Sequence, residues 1–280
     1  MKKLAQAVLI CASAALLVMS GCSRSGNQAA AAPQEAALSP FPTISSTATP
    51  APPAASAEPS PLVPSPESGK PVEETVQPDS GKPARRESAL KPVYAVGKNQ
   101  VAITIDDGPT KDTGKLLKVL KDNDAKVTFF FLGQNVEKYH DSVTQAVYER
   151  HGIGYHSDVH PQMTKMNYDS QQKEFETGLK KLEKWSKTSV KLFRPPYGSY
   201  NNDTKLITEE HGMSMILWNE DPKDWEAGDA AKITKNVLSE VRSGSIIVMH
   251  DHPSTIAALP GIIEGIRKKG YTLVTVPEPK

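Results

Sequence analysis

The sequence predicts an α/β domain of about seven parallel strands, preceded by a long segment with no core of its own. Three observations carry this. Of the 23 prolines in 280 residues, 14 lie between residues 33 and 92. All three Trp and all seven His fall after residue 92. From there on, short apolar runs alternate with longer amphipathic ones, the pattern of strand and crossover helix.

In chain order, Lys2 and Lys3 precede an apolar run over residues 4–18. The run is too short to span a bilayer as a mature helix and suits a secretory signal. It ends in Met19-Ser20-Gly21-Cys22, which resembles a bacterial lipobox with Met19 where Leu is usual. The resemblance implies a signal peptide over 1–22, lipidation of Cys22, and a lipid anchor to the cell membrane on its extracytoplasmic, wall-facing side. The alternative is a plain secretory signal with an incidental Cys22. The only other cysteine, Cys11, lies inside the segment to be removed, so the mature chain forms no internal disulfide.

Residues 23–92 hold 14 Pro, 13 Ala and 11 Ser, with Phe41 the only aromatic. Such a stretch cannot bury enough apolar surface to offset its ordering entropy, so it reads as a disordered linker and tether. Residues 93–280 then form one domain, in which 25 Lys and Arg balance 25 Asp and Glu. A binder of duplex nucleic acid would need a net basic face, so that class is excluded.

Within the domain, residues 101–106 (VAITID), 126–133 (KVTFFFLG), 152–156, 190–194, 213–219, 245–250 and 271–276 read as strands. Helices fit between them over 110–123, 136–150, 168–187, after Asn202, and over 229–241 and 255–269. The alternation requires parallel pairing with right-handed crossovers, as an open doubly wound sheet or as a barrel. Asp106, His156, Arg194 and His250 fall at or just past the C-terminal ends of strands, the edge where ligands collect in such folds.

Five segments carry candidate chemistry. In Asp106-Asp107-Gly108-Pro109, the turn after the strand lets two carboxylates face one pocket, where a cation or one raised pKa relieves their repulsion. A plain surface turn is the alternative. His156 and His160, spaced i and i+4, share a face if the backbone makes one helical turn. With an added carboxylate they make the open donor set of a catalytic zinc. Arg194, ahead of Pro195-Pro196-Tyr197-Gly198, can orient a carboxylate by paired hydrogen bonds; a stiff loop is the alternative. His250 ends an apolar strand, as a general acid or as a packed core histidine. Asp224-Trp225 offers a sugar-stacking wall or a core tryptophan.

Together and in this order, these segments resemble the polysaccharide deacetylase family with the NodB homology domain, carbohydrate esterase family 4. The likeness runs from about residue 93 to residue 276, with Ile105 where Phe is usual and Val248 where Leu is usual. It implies a distorted (β/α) barrel and a metal-dependent hydrolase that removes acetyl groups from N-acetylglucosamine units. It implies that Asp107, His156 and His160 hold one divalent metal, zinc first, with cobalt or nickel as alternatives. Asp106 would be the base and His250 the acid, supported by Arg194 and Asp224 respectively. Pro196, Tyr197, Trp225 and Val248 would line the substrate groove, with the Tyr197 backbone N–H at the oxyanion. His140, His151, His211 and His252 have no such role and read as surface or packing histidines.

An enzyme leashed outside its own membrane most readily meets its own cell wall. That favours peptidoglycan as the acetylated polysaccharide bound, by a monomer with no nucleic-acid partner. The alternatives are a chitin oligomer, acetyl-xylan, and a catalytically silent carbohydrate-binding lipoprotein, which loss of Asp106 or His250 would have marked.

Overall fold

The computed structural model describes residues 70–74 and 85–279. Residues 1–22 with Cys22, and most of the linker, lie outside the described residues. The strands are β1 (Val72–Glu73), β2 (Gln100–Asp106), β3 (Thr128–Phe131), β4 (Gly152–Tyr155), β5 (Leu192–Phe193), β6 (Ser199–Tyr200), β7 (Ser214–Met215), β8 (Ile246–His250) and β9 (Thr272–Leu273). The helices are α1 (Thr113–Asp122), α2 (Gly133–Val136), α3 (His140–Tyr148), α4 (Tyr168–Ser186), α5 (Asn202–Glu210), α6 (Asp224–Ala227), α7 (Ala230–Glu240) and α8 (Pro253–Lys268). None of these described helices is long and apolar enough to cross a membrane.

β2 is the axis of the molecule. Its apolar run is buried on both faces, as a strand covered by helices on one side and a barrel interior on the other requires. It pairs in parallel with β3 and β8, so that Asp106 lies level with Phe130 and with His250. The full order is β7-β5-β4-β3-β2-β8, every pair parallel, with β9 beside the start of β2.

The two edges are joined by irregular chain rather than by another strand. Leaving β7, the backbone bonds Val93 on one side, then Asn219 donates to the Ile246 carbonyl at 3.2 Å and Glu220 accepts from Val248 at 3.0 Å. This is the distorted barrel that the family likeness implied and that the pattern by itself left open.

Helix ends follow local chemistry. Asn167 starts α4 by accepting from the Ser170 N–H, and a left-handed Lys187 (φ 56°) stops it. Asn201 and Thr204 form a reciprocal capping box on α5. Of the helix expected over 136–150, the structure forms α3; α2 ends at Val136, and Glu137, Lys138 and Tyr139 separate the two. The strands expected over 190–194, 213–219 and 271–276 each shorten to two residues, with single backbone bonds such as Arg194 N–H to the Tyr155 carbonyl and Val274 N–H to the Val101 carbonyl continuing beside them.

Described residues upstream of 93 also make contacts with the domain. β1 adds itself in parallel to β6. Ser88 donates to Glu209 at 2.7 Å and Arg86 to the same carboxylate at 3.0 Å. Few apolar groups are needed for this, since backbone pairing and ion pairs do the holding.

Candidate functional site

Asp106 is the last residue of β2 and is almost completely buried. Its Oδ1 accepts from Arg194 Nη1 at 2.7 Å. Arg194 itself has no exposed surface. It also donates to Thr104 Oγ1 at 2.7 Å and to the carbonyls of Ile216 and Leu217, and its guanidinium lies 4.1 Å from the Phe130 ring centre. The paired bonding expected of Arg194 is thus one bond to Asp106, with its other donors spent on the barrel wall. Burial raises the Asp106 pKa, against the opposing pull of Arg194 and His250.

Asp107 swings the other way because its backbone turns left-handed (φ 67°) at the end of the strand. Its Oδ1 is buried with no hydrogen-bond partner, 3.7 Å from His156 Nε2 and 3.6 Å from His160 Nε2. The two histidines do not sit on a helical turn. Ser157 (φ 71°) and His160 (φ 60°) fold the loop back on itself, which brings the rings to 4.9 Å by a different route.

Each loop group is fixed from behind. His156 Nδ1 bonds the Arg194 carbonyl at 2.7 Å, which leaves Nε2 facing Asp107. The His160 N–H donates to Ser157 Oγ, and Glu174 on α4 accepts from the Asp158 and Val159 N–H groups. Burial lowers both imidazoles to about 4, so they are neutral and free to donate lone pairs. Donors 2.0–2.2 Å from one tetrahedral ion stand about 3.4 Å apart. The separations here, and an orphaned carboxylate oxygen between two neutral imidazoles, fit a divalent cation.

His250 closes the site from β8. Burial would lower its pKa, but Asp224, helped by the charges of Asp107 and Asp106, lifts it to about 10; Asp224 accepts from its Nδ1 at 2.8 Å and from its backbone N–H at 2.7 Å. Thr255 donates to the second Asp224 oxygen.

A family model described as polysaccharide deacetylase matches residues 94–216. A peptidoglycan-N-acetylglucosamine deacetylase of Bacillus cereus is 37% identical over 187 residues, covering 64% of this chain and 68% of that protein. The chain belongs to the polysaccharide deacetylase family. Its coverage of other curated relatives runs from 30% to 86% of their lengths. Among solved structures, a peptidoglycan N-acetylglucosamine deacetylase is 35% identical with a TM-score of 0.62, over 67% of this chain and 90% of that one. A carbohydrate esterase family 4 pseudoenzyme from Bacillus anthracis is 26% identical with a TM-score of 0.64, over 67% of this chain and 68% of that one.

In this deacetylase-family chain, the residues expected to line a groove stand at different depths. Pro196 is buried and Tyr197 is partly exposed beside it, its ring centre 4.6 Å from that of His160. Tyr197 takes a left-handed backbone (φ 59°). Val248 is buried on the same strand face as His250, while Trp225 is one of the exposed large apolar side chains.

The remaining histidines do other work. His140 stacks on Trp185, His211 bonds the Ile207 carbonyl, His252 caps α8, and His151 accepts from the Val127 N–H. Sequence reasoning missed Thr104, Glu174 and Thr255. Thr104 was detectable, because strand alternation puts it on the face of Asp106. Glu174 and Thr255 are 16 and 31 residues from their partners Asp158 and Asp224 and carry no local signal of the pairing.

Proposed function

We propose that this chain is a metal-dependent N-deacetylase acting on N-acetylglucosamine units of peptidoglycan. One observation carries the reading: an Arg194-held carboxylate and an Asp224-held imidazole stand level on adjacent strands, beside the donor set of Asp107, His156 and His160. The relatives' names favour peptidoglycan over chitin oligomers or acetyl-xylan. A silent binding protein is disfavoured because both members of the acid–base pair are present and supported.

A bound divalent ion, zinc first, supplies positive charge that acidifies water and polarises the acetyl carbonyl. Asp106 takes the proton of the attacking water, its position fixed by Arg194. The Tyr197 backbone N–H faces the developing oxyanion. His250 gives its Nε2 proton to the departing nitrogen as the C–N bond breaks, and Asp224 stabilises the imidazolium until then. Acetate and a free amine result. Pro196, Trp225 and Val248 bound the sugar and its acetyl group.

The sequence adds the setting. A signal peptide over 1–22 and a lipid on Cys22 would anchor a monomer outside the membrane, with the linker reaching toward the wall. The test is acetate release by the purified chain, supplied with zinc or cobalt, from peptidoglycan, chitin oligomers and acetyl-xylan. Release chiefly from peptidoglycan is expected, and none from any of the three would overturn the enzymatic reading.

A further inference from the structure

The segment 70–74 lies far upstream of the barrel, in chain whose composition reads as tether, yet it reaches the loops that build the site. β1 pairs with β6, which begins immediately after Gly198, and Glu74 N–H donates to the Tyr200 carbonyl at 2.8 Å. Pro71 packs on the Tyr197 loop so closely that a Cβ on Gly198 would come within 3.0 Å of it.

The Glu74 side chain then spans two loops. Its Oε1 accepts from Ser199 Oγ at 2.7 Å, two residues beyond Tyr197. The same oxygen accepts from Gln162 Nε2 at 3.2 Å, two residues beyond His160. Ser199 Oγ also lies 3.1 Å from Thr164 Oγ1, on the turn that follows Gln162. One carboxylate from the upstream chain therefore ties the loop of a metal-donor histidine to the loop of the oxyanion donor. The rings of those two loops, His160 and Tyr197, are already in edge contact. Glu73, its neighbour, is paired with Lys205 at 3.0 Å, which pins the strap to α5.

We infer that Glu74 is a positioning residue, and that residues 70–74 are a clamp which sets the spacing between the His160 and Tyr197 loops. The inference rests on the deacetylase reading for its catalytic consequence, and on the Asp107–His156–His160 donor set for its metal consequence. Glu74 touches no substrate. It acts through Gln162 and Ser199, so its removal should loosen one metal donor and displace one oxyanion donor together.

The experiment compares the full chain with Glu74→Ala, Glu74→Gln and Gln162→Ala. Three quantities are read: zinc affinity by competition with a chromogenic chelator, kcat and KM for acetate release, and the melting temperature. Outer partners of metal ligands typically change affinity or rate by 10- to 100-fold. Glu74→Ala is expected to weaken zinc and lower kcat by about tenfold each, with KM little changed. Glu74→Gln, which keeps an acceptor for Ser199, should recover most of both losses. Gln162→Ala leaves β1 intact and should weaken zinc on its own, which decides the matter if Glu74→Ala does not fold. Wild-type zinc affinity and kcat in folded Glu74→Ala, or in Gln162→Ala, would overturn the clamp. If the wild-type chain releases no acetate, the functional reading fails, while the zinc measurement still tests the strap.

Discussion

Asp106 and Asp107 are chemically identical neighbours for which different tasks are proposed, and the backbone separates them. Asp106 ends a strand, so its side chain enters the barrel toward Arg194. Asp107, at a φ of 67°, turns outward between two imidazoles. Asp107→Ala should therefore lose metal by elemental analysis. Asp106→Asn should keep metal and lose at least about 100-fold in kcat, the usual worth of a positioned base. Full rate in Asp106→Asn would show the base to be misassigned.

The proposed roles also fix a pH profile. On that mechanism turnover needs ionised Asp106 and protonated His250. Burial raises the Asp106 pKa, so activity should climb with pH through a range above the ordinary carboxylate value of about 4. It should fall as pH passes about 10, where His250 loses its proton. Asp224 is the chief group holding His250 up against burial, so Asp224→Asn should move the alkaline limb to lower pH. An unmoved limb would mean that another group titrates there.

At the scale of elements, the histidine loop is built against α4 by close backbone approach. Gly178 on α4 faces Gly133 at the start of α2, and a Cβ on Gly178 would fall 2.4 Å from the Tyr155 hydroxyl and 2.8 Å from the Asp158 Cα. Ala is the better helix former by up to about 1 kcal/mol. Overpacking here should cost about 1–3 kcal/mol and push the loop between His156 and His160. Gly178→Ala is thus expected to lower both the melting temperature and zinc affinity. A gain in stability with unchanged zinc binding would show that the loop yields without consequence.

The i, i+4 spacing of the histidines correctly brought them together, but through two left-handed residues and not through a helical turn. Periodicity cannot see that difference, because such φ values are imposed by the loop's anchors. Those anchors are Ser157, Glu174 and the Arg194 carbonyl.

For the whole molecule, composition puts the start of the domain at residue 93, while residues 70–74 and 85–92 also make contacts with it. Composition measures how much apolar surface a stretch can bury. It does not register a strand held by backbone bonds, or arginines paired with acids on α5. A chain beginning at 93 loses β1, the Arg86–Glu209 pair and the Ser88 bond. Relative to a chain beginning at 61, it should melt roughly 2 to 8 °C lower, the equivalent of about 1–2 kcal/mol for a domain of this size. Equal melting temperatures would show that the upstream contacts add no stability to a domain beginning at 93.

The sequence by itself determined the parallel α/β plan, the strand edge at which the polar residues collect, and the residue types gathered there, because apolar periodicity and strand termini are local properties. Only the tertiary structure decided how the barrel closes, through the irregular stretch 216–220. It alone showed that Arg194 spends most of its donors on the barrel wall, and that chain upstream of the domain reaches the site. These depend on groups far apart in sequence meeting in space, where buried donors and acceptors must find partners, and no local pattern records which partner each will find.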